Sequence, residues 1–256
     1  MQGFARGMVY LNLAAVVGLL FRLSTLGLFR IYHGLFFYLL VYALQFTVTA
    51  IVPIRTTLYG NLYMLGESTN VILSILVVVE LVGLTLASHP ALAVFGRKTV
   101  AYAMGLAALI ATGGVMLDSR VLPGKSRIMH RFVTAERTMD FTILMFLLFI
   151  TAFMMWFPVK VRRNIMLYIV GFVVFYLSRT FGLLMINLLP LASLIVVNTV
   201  FTCFSLCCLI AWLVGLRREG EDTTTIVGHR WNPAAMKRLS GQLDAINAVL
   251  VRFGRH

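Results

Sequence analysis

The chain has 256 residues, 60% of them hydrophobic and 12% charged, and its mean hydropathy is +0.92. A soluble domain is nearly half apolar and about a quarter charged, so these figures exclude an ordinary soluble fold and imply a polytopic membrane protein. The formal charge of +13 could serve nucleic acid, anionic lipid or topology; because Lys and Arg flank apolar runs, topology and anionic lipid are expected and nucleic acid is not.

A helix rises about 1.5 Å per residue and satisfies its own backbone in lipid, so about 20 apolar residues span the hydrocarbon. Seven stretches qualify, at 7–28, 31–52, 70–87, 99–117, 141–157, 165–189 and 191–216. They predict an all-α fold: a seven-helix transmembrane domain over 1–218, a polar connector at 219–230 and a cytoplasmic amphipathic helix at 231–256. Arg6 precedes the first stretch and no small-residue cleavage signature follows it, so a retained span is expected rather than a removed signal peptide. Arg22 interrupts that span, at a position from which it can snorkel to the headgroups. In the fourth span Ala101, Gly105, Ala108 and Thr112 form a small-residue stripe, suited to tight packing within the bundle or to a dimer face. Pro190 alone separates the last two spans, which predicts a tight hairpin.

Placing the C-terminus in the cytoplasm gathers Arg22, Arg30, Arg97, Lys98, Lys160, Arg162, Arg163, Arg217 and Arg218 on that side, with the N-terminus outside. The segment "DSRVLPGKSRIMHRFVTAERTMD" then becomes an outer loop that is basic against the rule, although Asp118, Glu136 and Asp140 accompany its cations.

Glu80 and Arg179 are the two charges expected near mid-membrane. Such a charge costs about 2.5–3.5 kcal/mol even on lenient insertion scales, so each should face the bundle interior and find a partner. Both fall roughly 15 Å from the outer ends of their spans, which permits a pair if the third and sixth spans face each other. The pair could be a proton-relay, ligand or substrate site, or a structural ion pair that sets helix register. Asn12, Gln45, Ser74, Ser178, Asn187 and Asn198 could line a small cavity or link helices by hydrogen bonds worth about 0.6 kcal/mol each.

Chemistry beyond this is sparse. His33 and His89 near the cytoplasmic ends of two spans raise the question of haem, but no second signature supports it and no cofactor is expected. Cys203, Cys207 and Cys208 lie within one apolar run, without the spacing or histidines of a zinc site, so no metal is expected. No HExxH, GxSxG or GxxxxGK[ST] motif is present, and a non-enzymatic protein is expected. Retinal on a Schiff base is excluded because Lys98, Lys125, Lys160 and Lys237 all fall outside the spans.

The combination of "FPVKVRRNIMLYIVGF", a last span ending "LRREGED", and "VGHRWNP" leading into "LSGQLDAINAVLVR" resembles a family of uncharacterised bacterial seven-helix membrane proteins. The resemblance covers nearly the entire chain and implies a bacterial inner-membrane location, with no activity, ligand or site residue attached.

The tail differs in style from the spans. Asn232 can cap a helix whose first position is Pro233. Met236, Leu239, Leu243, Ile246, Leu250 and Phe253 then recur at spacings of three and four. This stripe could lie on an anionic leaflet, pair with a second copy, or dock on another protein. Under three heptads and with Gly241 inside, it favours the membrane surface over a coiled coil. The expected function is a sensor-like or scaffold membrane protein reporting through this tail, with a small transporter or channel component built on Glu80 and Arg179 as the alternative.

Overall fold

The computed structural model describes residues 2–53, 56–117, 127–157, 159–188, 194–227 and 233–253. The chain is nearly all helical: α1 (Gln2–Thr25), α2 (His33–Ile51), α3 (Thr57–Thr85), α4 (Pro90–Leu117), α5 (Arg127–Trp156), α6 (Arg163–Leu188), α7 (Leu194–Gly215), a single turn α8 (Glu219–Asp222) and α9 (Pro233–Phe253). Six of these, α1 to α6, are long and apolar enough to cross a membrane, and α7 contributes a shorter apolar stretch, Thr199–Gly215. The protein is thus a membrane-embedded helical bundle.

Three helices begin well before the expected spans, α3 at Thr57, α4 at Pro90 and α5 at Arg127. The basic outer loop is corrected accordingly, since its described part, 127–140, is helix. Hydropathy hides these turns because their inward faces are polar. On α3 the buried face runs through Glu67, Asn70, Ser74, Val77, Val78 and Leu81, and on α5 through Glu136, Met139, Asp140, Ile143, Leu144 and Leu147. Both series follow the helical period of 3.6, which averaging over composition does not see.

α3 is the central helix, packed on α2, α4, α5 and α6, while α1 sits against α2 and α7, and α6 against α5 and α7. Between α2 and α6 runs a column of buried rings. Tyr32 meets Tyr168 at 5.5 Å, Tyr168 meets Phe172 at 5.2 Å, and Phe172 meets Trp212 of α7 at 5.0 Å and Tyr38 at 5.4 Å. Each spacing lies within the range in which ring pairs attract beyond their buried area. Trp212 fits because Gly171 has no side chain: a Cβ there would come within 2.2 Å of the indole Nε1.

The 219–230 segment, expected to be a polar connector, forms structure over its described part. Strand β2 (Thr224–Val227) pairs antiparallel with β1 (Val159–Arg162), Val159 opposite Val227 and Arg162 opposite Thr224. Glu221 of α8 holds the hairpin to the bundle. Its carboxylate accepts hydrogen bonds from Tyr32 Oη at 2.5 Å, Asn164 Nδ2 at 2.5 Å and Arg162 Nη1 at 3.1 Å. Burial and this carboxylate hold the Tyr32 hydroxyl well above its ordinary range, so it remains the donor. A side chain at Gly220 would meet Asn164 Oδ1 at 2.2 Å, which requires glycine at the crossing.

α9 docks on α4 at this same end, hereafter the tail end. α4 opens with Pro90, which lacks an N–H, and the next two donors, Ala91 and Leu92, are taken by Asn247 Oδ1 at 3.0 and 3.2 Å. A helix normally caps its start with a neighbouring residue; here the cap comes from a distant segment. His89 Nε2 lies 3.3 Å from Asp244 beside it. The apolar stripe of the tail is divided: Leu243 is buried, Leu239 and Leu250 are half-buried and Ile246 is exposed. The side chains of Met236 and Phe253, and the whole of Asn232, lie outside the described residues.

Gly171→Ala should lower the thermal midpoint of the purified protein and shift Trp212 emission, because overpacking a filled core costs about 1–3 kcal/mol. Gly241→Ala, at a glycine with open space around it, should be neutral or stabilising in the same assay.

Candidate functional site

The site grows from Arg179, two turns or so before the end of α6, in a wall of apolar residues. A guanidinium cannot lose its charge at ordinary pH, so the fold must bring acceptors to it. Two helices, α3 and α5, do so. Arg179 Nε donates to Asp140 Oδ2 at 2.5 Å, and Nη2 donates to Glu67 Oε2 and to Glu136 Oε1, each at 2.6 Å. The acids are largely out of solvent, with side chains 11%, 3% and 1% exposed for Glu67, Glu136 and Asp140. Glu136 and Asp140 stand one turn apart on α5 and so present two carboxylates on one face. Tyr63 Oη, one turn before Glu67 on α3, adds a longer bond to Glu136 at 3.3 Å.

Polar contacts continue from this cluster along α3. Asn70 Nδ2 donates to Gln45 Oε1 on α2, Ser74 Oγ donates to the Asn70 carbonyl at 2.6 Å, and the Ser74 and Tyr176 hydroxyls are hydrogen-bonded. Tyr42 and Ser205 hydroxyls join α2 to α7 at 2.9 Å. Tyr42, Gln45 and Ser205 of this set line a cavity of about 740 Å³ between α2, α3, α6 and α7. Glu67, Glu136 and Arg179 line it together with Tyr42, Tyr63 and Ser178, and it reaches the bundle surface at Leu44 and Leu65. Its volume lies within the usual range of small-molecule sites, about 300–1,000 Å³.

The expected Glu80–Arg179 pair does not form. Both lie on inward faces, but Glu80 is thirteen positions after Glu67 on α3, roughly 20 Å along the helix axis. The longer α3 moves Glu80 toward the tail end, whereas Arg179 belongs to the other half. Glu80 Oε2 instead accepts the Gly34 backbone N–H at 3.0 Å and the Tyr168 hydroxyl at 3.4 Å. Its carboxylate thereby meets the positive end of α2, where unpaired backbone donors favour an anion.

Of the other expected residues, Gln45 and Ser178 line the cavity. Asn12 is fully buried and not part of the lining, its Nδ2 donating to Met8 O at 2.9 Å and to Thr202 O at 3.2 Å, which ties α1 to α7. The side chains of Asn187 and Asn198 lie outside the described residues. His33 heads α2 and His89 faces Asp244 on α9. Cys203, Cys207 and Cys208 are free thiols, and among the described residues no set of three His, Cys, Asp or Glu is placed to hold a metal ion. Glu67, Glu136 and Asp140 were missed by the sequence reading. Their spacing to Asn70 and Ser74 on one helix, and to Ile143, Leu144 and Leu147 on the other, is the signal that could have found them.

The fold and cavity define a membrane-embedded helical bundle with an internal charged site. No family model matches the chain, and no curated protein or solved structure matches it either.

A double-mutant cycle with Glu67→Gln and Arg179→Met should give a coupling within about 0.5–3 kcal/mol, as contacting charges do. The cycle of Glu80→Gln with Arg179→Met should add to within about 0.5 kcal/mol. Arg179→Met alone should be the most destabilising single change, by about 3–5 kcal/mol in thermal or chemical unfolding, because it strands three buried acids.

Proposed function

We propose that this chain is a non-enzymatic, sensor-like membrane protein in which the cavity takes a small molecule and α9 carries the response at the tail end. The observation that carries this reading is the path between the two. α3 and α5 supply Glu67, Glu136 and Asp140; α4 packs on both; and the first turn of α4 is capped by Asn247 of α9. A ligand that shifts α3 or α5 therefore bears on the helix whose exposed donors hold the tail. Such a route has physical content only if it joins two states of α9, docked and released. The docking contacts are few: the Asn247 cap, which contributes about 1 kcal/mol, the buried Leu243 and the His89–Asp244 contact.

In this reading α7 completes a seven-span bundle, the N-terminus lies outside and the tail end faces the cytoplasm, in accord with the basic residues collected there. α9 is an amphipathic helix. Ile246 and Val249 are exposed together with Lys237, Arg238 and Arg252, a mixture suited to an anionic leaflet or, on release, to a protein partner or second copy. The resemblance noted at the end of the chain supports a bacterial inner membrane as its location. A carrier is the second reading, favoured by one observation: the cavity reaches the bundle surface in one half while the ring column of Tyr168, Phe172 and Trp212 fills the other, as in one access state of a transporter.

Spin labels at exposed Phe95 on α4 and exposed Ala245 on α9 report docking by pulsed dipolar spectroscopy. Asn247→Ala should broaden and lengthen that distance distribution, moving the docked-to-released ratio by about fivefold for a lost cap. Filling the cavity with Ser178→Phe should also displace it. A distribution identical to the parent's in folded Ser178→Phe protein would sink the sensor reading, and solute flux into vesicles that Ser178→Phe abolishes would establish the carrier instead.

A further inference from the structure

The ligand class follows from the charge balance of the cavity wall. Glu67 and Glu136 line it beside Arg179, and Asp140, outside the lining, is a third carboxyl group on the same guanidinium. Arg179 spends its Nε and Nη2 on them, so the cation is committed and the acids are in excess. In a medium of low dielectric an uncompensated carboxylate is costly, and a positive guest is the complement that such a wall lacks. A second observation, independent of that count, is the ring-rich lining beside the two acids.

The shape of the cavity narrows the guest. The acids converge on Arg179 rather than on a common point, which does not make a metal-holding set among the described residues. Around them the lining is aromatic, with Tyr42, Phe46, Tyr59, Tyr63, Phe175 and Phe201. Ring faces beside carboxylates are the surroundings that hold an ammonium group, the rings through their quadrupole and the acids through charge. The rim is apolar: Leu44 and Leu65 are 58% and 66% exposed where the cavity reaches the bundle surface. An entry of this kind admits a guest with an apolar body from the lipid side.

We infer that the cavity binds a monovalent organic cation, a protonated or quaternary amine with an apolar body. Its charge sits against Glu67 and Glu136 and its body against the rings of Tyr42, Tyr63 and Phe201. The inference rests on the cavity reading above and names its occupant. An anion is disfavoured by the same wall, because the guanidinium that would receive it is already held by three acids.

The test uses the full-length protein in zwitterionic nanodiscs and titration calorimetry with benzyltrimethylammonium, whose charge is permanent. Two controls share its size: neopentylbenzene, the neutral carbon isostere, and the anion 3-phenylpropionate. Saturable binding of the cation alone is expected, weakened about tenfold or more by Glu67→Gln or Glu136→Gln and unchanged by Glu80→Gln, which removes an acid from the same helix outside the cavity. The comparison of three probes on the parent protein needs no variant, so it decides the matter even if the Gln variants fail to fold. Equal binding of the isostere or the anion overturns the inference, as does the absence of saturable cation binding. Cation binding that survives both Gln variants but is lost in Ser178→Phe also overturns it while leaving the cavity reading intact. The cavity reading falls separately, when Ser178→Phe leaves α9 docked as in the parent.

Discussion

A guanidinium inside an apolar bundle sets the terms for this structure. Arg179 cannot be neutralised and is largely buried at its place on α6, so its stability depends on acceptors supplied by other helices. Glu67 comes from α3, Glu136 and Asp140 from α5, and the three bonds fix the depth and rotation of both helices against α6. Apolar packing would tolerate small slides of one helix past another. A shared charge with three short bonds does not, because a slip of one residue would carry an acid around its helix and away from Arg179. Buried charge of this sort adds little net stability after desolvation, and its value here lies in register.

The same shortage of water governs the tail end, where the solution is different. Glu80 needs donors and finds them at the free N-terminus of α2 and on Tyr168. The start of α4 needs acceptors and finds Asn247 on α9. Glu221 gathers Tyr32, Asn164 and Arg162, and so binds the β1–β2 hairpin to the helices. Each arrangement settles unpaired backbone or charged groups by bringing together segments far apart in the chain. The buried ring column from Tyr32 to Trp212 fills the half nearer the tail end. The cavity therefore belongs to one half of the bundle only, and α3, which runs past both, is the element that connects them.

Two parts of the site differed in how far the sequence disclosed them. Arg179 stood out because a cation in "FYLSRTFGL" has no reason to be there without a partner. Its partners did not stand out, since Glu136 and Asp140 sit among Arg131, Arg137 and Thr138 in a stretch that composition alone makes a loop. Glu67 in "LGESTN" was hidden in the same way. Where many polar residues cluster on one helical face, average hydropathy falls to that of a loop although the helix continues. The choice of Glu80 as partner was reasonable by charge and wrong by depth, because depth was counted from a helix start thirteen residues too late.

Composition and periodicity alone establish a helical membrane protein. The length of its apolar runs leaves no other way to satisfy the backbone in lipid. The sequence also requires that Arg179 be paired. Which acids pair with it, that a cavity of about 740 Å³ opens beside them, and that the tail closes back on α4 were decided only by the tertiary structure. Those outcomes depend on which helices become neighbours and on where each helix begins. Periodicity gives the face that a residue occupies, but the neighbour and the depth come from packing the whole bundle at once.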